Sequence, residues 1–247
     1  MKILITNDDG MDAEGIRLLT EAMTGLGEVM VAAPAKNHSG ASSALTLTGE
    51  IAVHHEGAEK WRIYGTPSDC VHLALTGDFL PAKPDLIVSG INSGANMGDD
   101  TIYSGTVAAV IEGHLFGVPG MAFSMAGKSE CNYAAGAQAA RVLVSQFLQK
   151  KFLGLPLLNV NIPDLSTWRG FAATRLGRRH AAEPALRCGT AENGTISFVI
   201  GEAGEARDHG EGTDFYAVEH GLVSVTPLMV DLTDASQISR THEWLPS

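Results

Sequence analysis

Residues 1–12 read MKILITNDDGMD, and their interpretation decides the fold. Lys2 to Thr6 is a short apolar run with β-branched residues, which suits a strand covered on both faces. It stops abruptly at Asn7-Asp8-Asp9-Gly10, so two adjacent carboxylates stand at a strand's C-terminal end. In open α/β sheets that edge is where ligands bind, because loops converge there while the strands hold them rigidly.

Outward from this stretch, Ile16, Leu19, Ala22, Met23 and Leu26 recur at helical spacing between Ala13 and Leu26, with Gly25 or Gly27 as the left-handed stop. Glu28 to Ala33 is a second strand, closed by Pro34. The β-α-β order predicts a parallel pair with a right-handed crossover. Leu45, Leu47, Ile51 and Val53 alternate around Thr48-Gly49-Glu50, predicting a hairpin, and Trp61 to Tyr64 adds a short strand. Thr66-Pro67-Ser68-Asp69 has the chemistry of a helix start, with Thr66 as N-cap, Pro67 at the first helical position and Asp69 near the positive dipole end.

Pro84 precedes a further buried strand, Asp85 to Ser89, which delivers a long loop, Gly90 to Thr106, GINSGANMGDDTIYSGT. A helix from about Thr106 to Phe116, a strand from Pro119 to Ser124, an amphipathic helix from Tyr133 to Lys151 and a strand from Leu157 to Ile162 follow. Beyond Pro163 the rhythm weakens. Trp168 to Thr174, Thr195 to Ile200 and Leu222 to Thr226 read as separated strands, which predicts an antiparallel appendage packing on a partner subunit. The chain then divides into an α/β core, 1–163, and a β-rich extension, 164–247.

The 247 residues, 45% hydrophobic and 18% charged, can bury a full core. No apolar run approaches the roughly 20 residues of a membrane span. The N-terminus has no basic segment followed by an apolar one, and is read as a mature, cytoplasmic start. Cys70, Cys131 and Cys188 form no Cys-x-x-Cys pair, so they read as buried thiols instead of disulfides or zinc ligands. A net charge of −11 argues against a nucleic-acid polymer as partner. A small anionic substrate would need a local device against that field, and a divalent cation is one.

Asp8 and Asp9 can both reach one ion only in irregular backbone, which Asn7 and Gly10 permit. Two carboxylates in one site repel unless a proton or cation sits between them, so one reading is a hard cation, Mg²⁺ or Mn²⁺, and the other is a helix cap beside a solvated Asp. Ser39, next to Gly40, offers a hydroxyl outside any nucleophile elbow, to be read either as a turn residue or as a ligand or nucleophile, with His38 beside it as a base or as an exposed loop histidine. Asn92 and Asn96 offer carbonyl oxygens to a cation or amide donors to an anion. The glycines of this loop do not have dinucleotide-binding spacing, and no Walker A loop is present. Ser104-Gly105-Thr106 opens a helix, a start that can bind an anion or simply be capped by Ser104. Asp99 and Asp100 read as a solvated loop face. Together these loops suggest metal-assisted attack on a phosphate ester.

ITNDDG, the Ser39-Gly40 loop, GTPSDCVHLAL, VSGINSGANMGDDTIYSGTVAA, LNVNIP, LGRRH and GTDFYAVEHGLVSVTPL, in this order, resemble the survival protein E (SurE) family of nucleoside monophosphate phosphatases over nearly the whole chain. The resemblance implies a three-layer α/β/α Rossmann-like core with a mainly parallel sheet, an extended C-terminal β-arm and a homodimer or homotetramer. It implies one divalent metal ion, Mg²⁺ or Mn²⁺, per subunit on Asp8, Asp9, Ser39 and Asn92, with Asn96, Ser104, Gly105 and Thr106 lining the phosphate site. Nucleoside 5′- and 3′-monophosphates, and for some members short polyphosphate, are the implied substrates. Between Arg187 and Gly201 the pattern departs: GTAENG and Phe198-Val199 stand where members often carry an Asp-Pro-Arg-Gly-like turn and a Tyr-Trp pair. That departure leaves base and sugar preference open.

The expected chemistry is in-line attack by a metal-activated water, with a direct aspartyl nucleophile, Asp8 or Asp9, as the variant. One alternative is a non-catalytic nucleotide-binding regulator using the same pocket. A receiver-type signalling domain fits less well, because the later strand ends in Ser89 and Asn92 instead of a phospho-accepting Asp, although Lys128 is available as the usual lysine counterpart.

Overall fold

In a computed structural model, which describes residues 1–127, 131–150, 154–179, 184–191, 193–200 and 204–246, the first strand lies inside a nine-stranded sheet. Lys128, Lys151 and His180 lie outside the described residues. β1 (Lys2–Thr6), α1 (Glu14–Met23) and β2 (Glu28–Pro34) form the expected parallel unit. β3 (Val53–Gly57), β4 (Lys60–Ile63), α2 (Pro67–Thr76), β5 (Leu86–Ser93), α3 (Gly105–Leu115), β6 (Gly120–Ala126), α4 (Tyr133–Gln149) and β7 (Leu157–Pro163) follow. The later part adds β8 (Phe171–Ala173), β9 (Arg178–Arg179), β10 (Leu186–Thr190), β11 (Ile196–Val199), β12 (Ala206–Asp208), α5 (Asp214–Glu219), β13 (Val223–Pro227) and α6 (Ile238–Trp244).

The sheet order is β3-β4-β2-β1-β5-β6-β7-β13-β8, parallel except where β3 meets β4 and β13 meets β7. The period of two in KILIT sorts its side chains onto both faces. Ile3 and Ile5 pack with Ile16 and Leu19 of α1 and Ala139, Ala140 and Val144 of α4. Leu4 packs on the other face with Val71 of α2 and Val107 and Val110 of α3. The result is a three-layer α/β/α protein with a mostly parallel sheet and further strands towards its C-terminus. β1 has β2 on one side and β5 on the other, reached by helices on opposite faces, so a crevice opens between the ends of β1 and β5.

Local chemistry explains the helix starts. Thr66 and Asp69 form a reciprocal capping box ahead of Pro67. Ser104 caps α3 by accepting from the N–H of Val107 at 3.1 Å.

Four expectations need correction. The hairpin turns at Ala58-Glu59, both at positive φ, and not around Gly49; residues 41–52 form no strand, and the N–H and hydroxyl of Thr46 bond the Asp69 carboxylate. The supposed loop beginning at Gly90 continues β5 to Ser93, because Gly90, with φ +131° and no side chain, lets the backbone of Phe123 come close on β6. Beyond Pro163, among the described residues, β8 and β13 join the main sheet and only the β10–β11 and β9–β12 pairs stand apart, since β7 still has an open edge to extend. Of the three cysteines only Cys70 is buried; Cys188 is exposed on the β10–β11 hairpin.

Candidate active site

The carboxylates are presented by a small closed loop. Asn7 donates its side-chain amide to the carbonyl of Gly10 at 2.9 Å and accepts the Gly10 N–H at 3.2 Å, which ties off the turn around Asp8 and Asp9. Gly10 has φ +103°, a conformation few side chains tolerate.

Asp8 is 3% exposed. Its Oδ1 accepts the hydroxyl of Thr106, and the bare Cα of Gly105 lets the start of α3 approach it closely. Its carbonyl accepts the N–H of His38 at 2.7 Å, which draws the Ser39 loop to the site. Asp9 accepts the N–H of Ser93 at 3.2 Å and the amide of Asn37 at 3.4 Å. Asn92 donates its amide to the carbonyl of Gly94 at 2.9 Å, which leaves its Oδ1 free as a ligand.

Asp8, Ser39, Asn92, Asn96 and Ser104 line one cavity of about 270 Å³, together with Asp100 and Tyr103. Asp9, Gly105 and Thr106 do not line it. Asp9 is tied to the backbone beside Asn92, while Gly105 and Thr106 stand behind Asp8. The structure therefore gathers all eight sequence-predicted residues at one place, with Thr106 committed to a carboxylate.

Burial pushes the Asp8 carboxyl up to about 6, against the pull of the Thr106 hydroxyl and with a push from the charge of Asp9. Asp9 is also raised by burial, opposed by the N–H of Ser93. A buried carboxylate beside a partly buried one is costly as a dianion and suits a cation between the two. Their companions are a hydroxyl and an amide carbonyl, and among the described residues no group of three or more His, Cys, Asp and Glu side chains could hold a metal. Such an all-oxygen donor set fits a hard cation, not zinc or copper.

Sequence reasoning missed the clamp on Asn96. Its N–H donates to Oδ1 of Asn161 at 2.8 Å, and its carbonyl accepts from Asn159 at 2.7 Å and Asn161 at 3.1 Å. Its side-chain amide donates to Ser124 at 2.7 Å. The signal was present: two Asn two residues apart in a fully buried strand must share one face. It also missed Asp214, a fully buried carboxylate that accepts the N–H groups of Gly98 and Gly177, each at 2.8 Å. Asp99 and Asp100 are not a solvated face. Asp99 accepts the Arg179 N–H at 3.0 Å and lies 3.9 Å from Arg178, and Asp100 is ion-paired to the Arg179 side chain.

Fold and site together define an α/β protein with an acidic, oxygen-lined pocket at the switch point of a mostly parallel sheet. Residues 3–183 match the family model of survival protein SurE. The chain is also similar to the crystal structure of the SurE protein from Aquifex aeolicus, at 37% identity and a TM-score of 0.87 over 99% of each chain. This chain belongs to the SurE family, known as metal-dependent nucleotidases and phosphatases.

Proposed function

We propose that this protein is a divalent-metal-dependent phosphatase that hydrolyses nucleoside 5′-monophosphates, with 3′-monophosphates and short polyphosphate as further substrates. Asp8 carries this reading: a buried carboxylate beside a second one, at the mouth of the crevice, in a pocket otherwise lined by neutral donors and acceptors and Asp100. One Mg²⁺ or Mn²⁺ ion per subunit, held by Asp8, Asp9, Ser39 and Asn92, supplies Lewis acidity and an acidified water when bound.

The protein's own groups do the rest. Thr106 holds Asp8 in one orientation, and the turn closed by Asn7 holds Asp8 and Asp9 side by side. Asn96 and Ser104 both line the pocket, and the second N–H of the Asn96 amide and the Ser104 hydroxyl would donate to equatorial phosphate oxygens as charge develops. The start of α3 adds its dipole. Both carboxylates act as ligands, and water is the nucleophile.

Phosphate release from AMP with Mn²⁺, abolished by EDTA and by Asp9→Asn, tests the reading. Metal-dependent AMP binding without release would identify a regulator instead. Single turnover in ¹⁸O-water that places label in a protein carboxylate would make Asp8 or Asp9 the nucleophile.

The assembly we propose is a homodimer or homotetramer. Met229, Leu232 and Trp244, all more than four-fifths exposed, support it as apolar surface that a second copy would cover. We place the protein in the cytoplasm, where the free thiols Cys70, Cys131 and Cys188 stay reduced. No helix among the described residues is long and apolar enough to cross a membrane.

A further inference from the structure

Asp100 is an electrostatic problem for a pocket that is to admit a phosphate. It lines the cavity, yet among the described residues no Lys or Arg does. A divalent cation would cancel Asp8 and Asp9 and leave the charge of Asp100 facing an incoming dianion. Arg179 answers that charge from behind the wall. Its guanidinium is ion-paired to Asp100, with side chains 21% and 30% exposed respectively.

The pair is an ion contact without a hydrogen bond from Nε, and the groups around it are packed. The Arg179 guanidinium lies 5.0 Å from the centroid of the Phe215 ring and donates to the carbonyl of Gly204 at 3.2 Å. Phe215 packs against Gly98 and Gly177, where an added Cβ would meet its ring at 2.8 Å and 2.5 Å. Asp214 bonds the N–H groups of the same two glycines. The turn carrying Asp100 and the strand carrying Arg179 are thus held in fixed register.

We propose that Arg179 is a specificity-determining residue: by neutralising Asp100 it makes the pocket acceptable to a phosphate dianion, without itself touching the substrate or the metal ligands. This rests on the phosphatase reading. The chemistry it selects is the doubly charged phosphate group itself, whatever organic group is attached.

The test measures inorganic phosphate binding by calorimetry in the Mn²⁺-loaded protein, alongside steady-state AMP hydrolysis. Arg179→Gln is expected to weaken phosphate binding and raise KM for AMP roughly tenfold, as one uncompensated like charge nearby would do, with kcat little changed and the defect shrinking at high salt. Asp100→Asn in the same chain is expected to restore both, which repair of packing would not do. Asp100→Asn alone, a near-isosteric change, is expected to bind phosphate at least as tightly as wild type. Mn²⁺ affinity is expected to hold in all three. Wild-type phosphate affinity in Arg179→Gln, or no rescue by Asp100→Asn, overturns the proposal. Should Arg179→Gln fail to fold, weaker phosphate binding by Asp100→Asn alone overturns it. A wild-type protein that binds Mn²⁺ but releases no phosphate from AMP fails the phosphatase reading instead.

Discussion

The Thr106 hydroxyl donates to Oδ1 of Asp8 across 98 residues of chain, and both side chains are buried. The start of α3 and the end of β1 are joined at the carboxylate on which the site depends. Thr106→Val keeps the shape and deletes the donor, removing a bond to a charged group worth roughly 1.5–3 kcal/mol. Mn²⁺ affinity, measured by calorimetry, is expected to fall about ten- to a hundredfold by the same conversion. Thr106→Ser is expected to keep most of it. Equal affinities in Thr106→Val and wild type would mean that the hydroxyl does not position Asp8.

The pH dependence follows from Asp8, whose pKa is about 6 in the folded protein against an ordinary 3.8. A raised carboxyl pKa means that the folded state binds the proton more tightly than the unfolded chain. Its stabilising contribution is complete below pH 3.8 and lost as pH rises through about 6. The shift corresponds to about 3 kcal/mol in metal-free protein. Asp8→Asn carries no such charge. In EDTA the variant is expected to melt above wild type at pH 7 and to lose that advantage by pH 4. With Mn²⁺ the order is expected to reverse at pH 7, and wild-type Mn²⁺ affinity to climb through pH 6 with proton release. A constant gap between variant and wild type from pH 4 to 7 in EDTA would refute the assignment.

How far the sequence reveals this molecule depends on whether a signal is local. β1 is legible because KILIT is apolar on both faces and stops at a polar turn, and α2 because Thr66, Pro67 and Asp69 are a complete start signal. β3 is not, because it is an exposed edge strand, VHHEG, whose turn uses Ala58 and Glu59 where Asn or Gly would have announced it. Gly90 to Ser93 looks like loop because its glycine serves a neighbouring strand. The eight candidate site residues sit on short motifs after strands, so they could be read one by one. The pairing of Asp100 with Arg179 and of Gly98 with Asp214 spans long stretches of chain with no local pattern to mark it.

Asn161 tests the clamp on the phosphate side of the pocket. Asn161→Leu leaves the buried Asn96 N–H without its acceptor, at a cost of about 1–3 kcal/mol. Melting temperature is expected to fall, and KM for AMP to rise, because Asn96 is no longer held at both backbone groups. Mn²⁺ affinity is expected to change little, since Asn161 bonds none of the four proposed ligands. Loss of metal binding at unchanged KM would place Asn96 with the cation instead of the phosphate.

Gly105 sets two effects against each other. Alanine in a helix interior is intrinsically better than glycine by about 1 kcal/mol, and by less at the first helical position that Gly105 holds. The added Cβ would stand 2.8 Å from Cβ and 3.0 Å from Oδ2 of Asp8, and 3.2 Å from Cγ of Pro67. Neither neighbour is the loose end of a flexible chain: Asp8 is buried beyond β1, and Pro67 is the first residue of α2. Overpacking of this kind costs about 1–3 kcal/mol, so the clash should win over the propensity. Gly105→Ala is therefore expected to lower the melting temperature in EDTA and to abolish tight Mn²⁺ binding by displacing Asp8. Gly189→Ala is the control, because its Cβ would meet nothing within 4 Å. A Gly105→Ala protein that melts at or above wild type and still binds Mn²⁺ tightly would show that the start of α3 can retreat without disturbing Asp8.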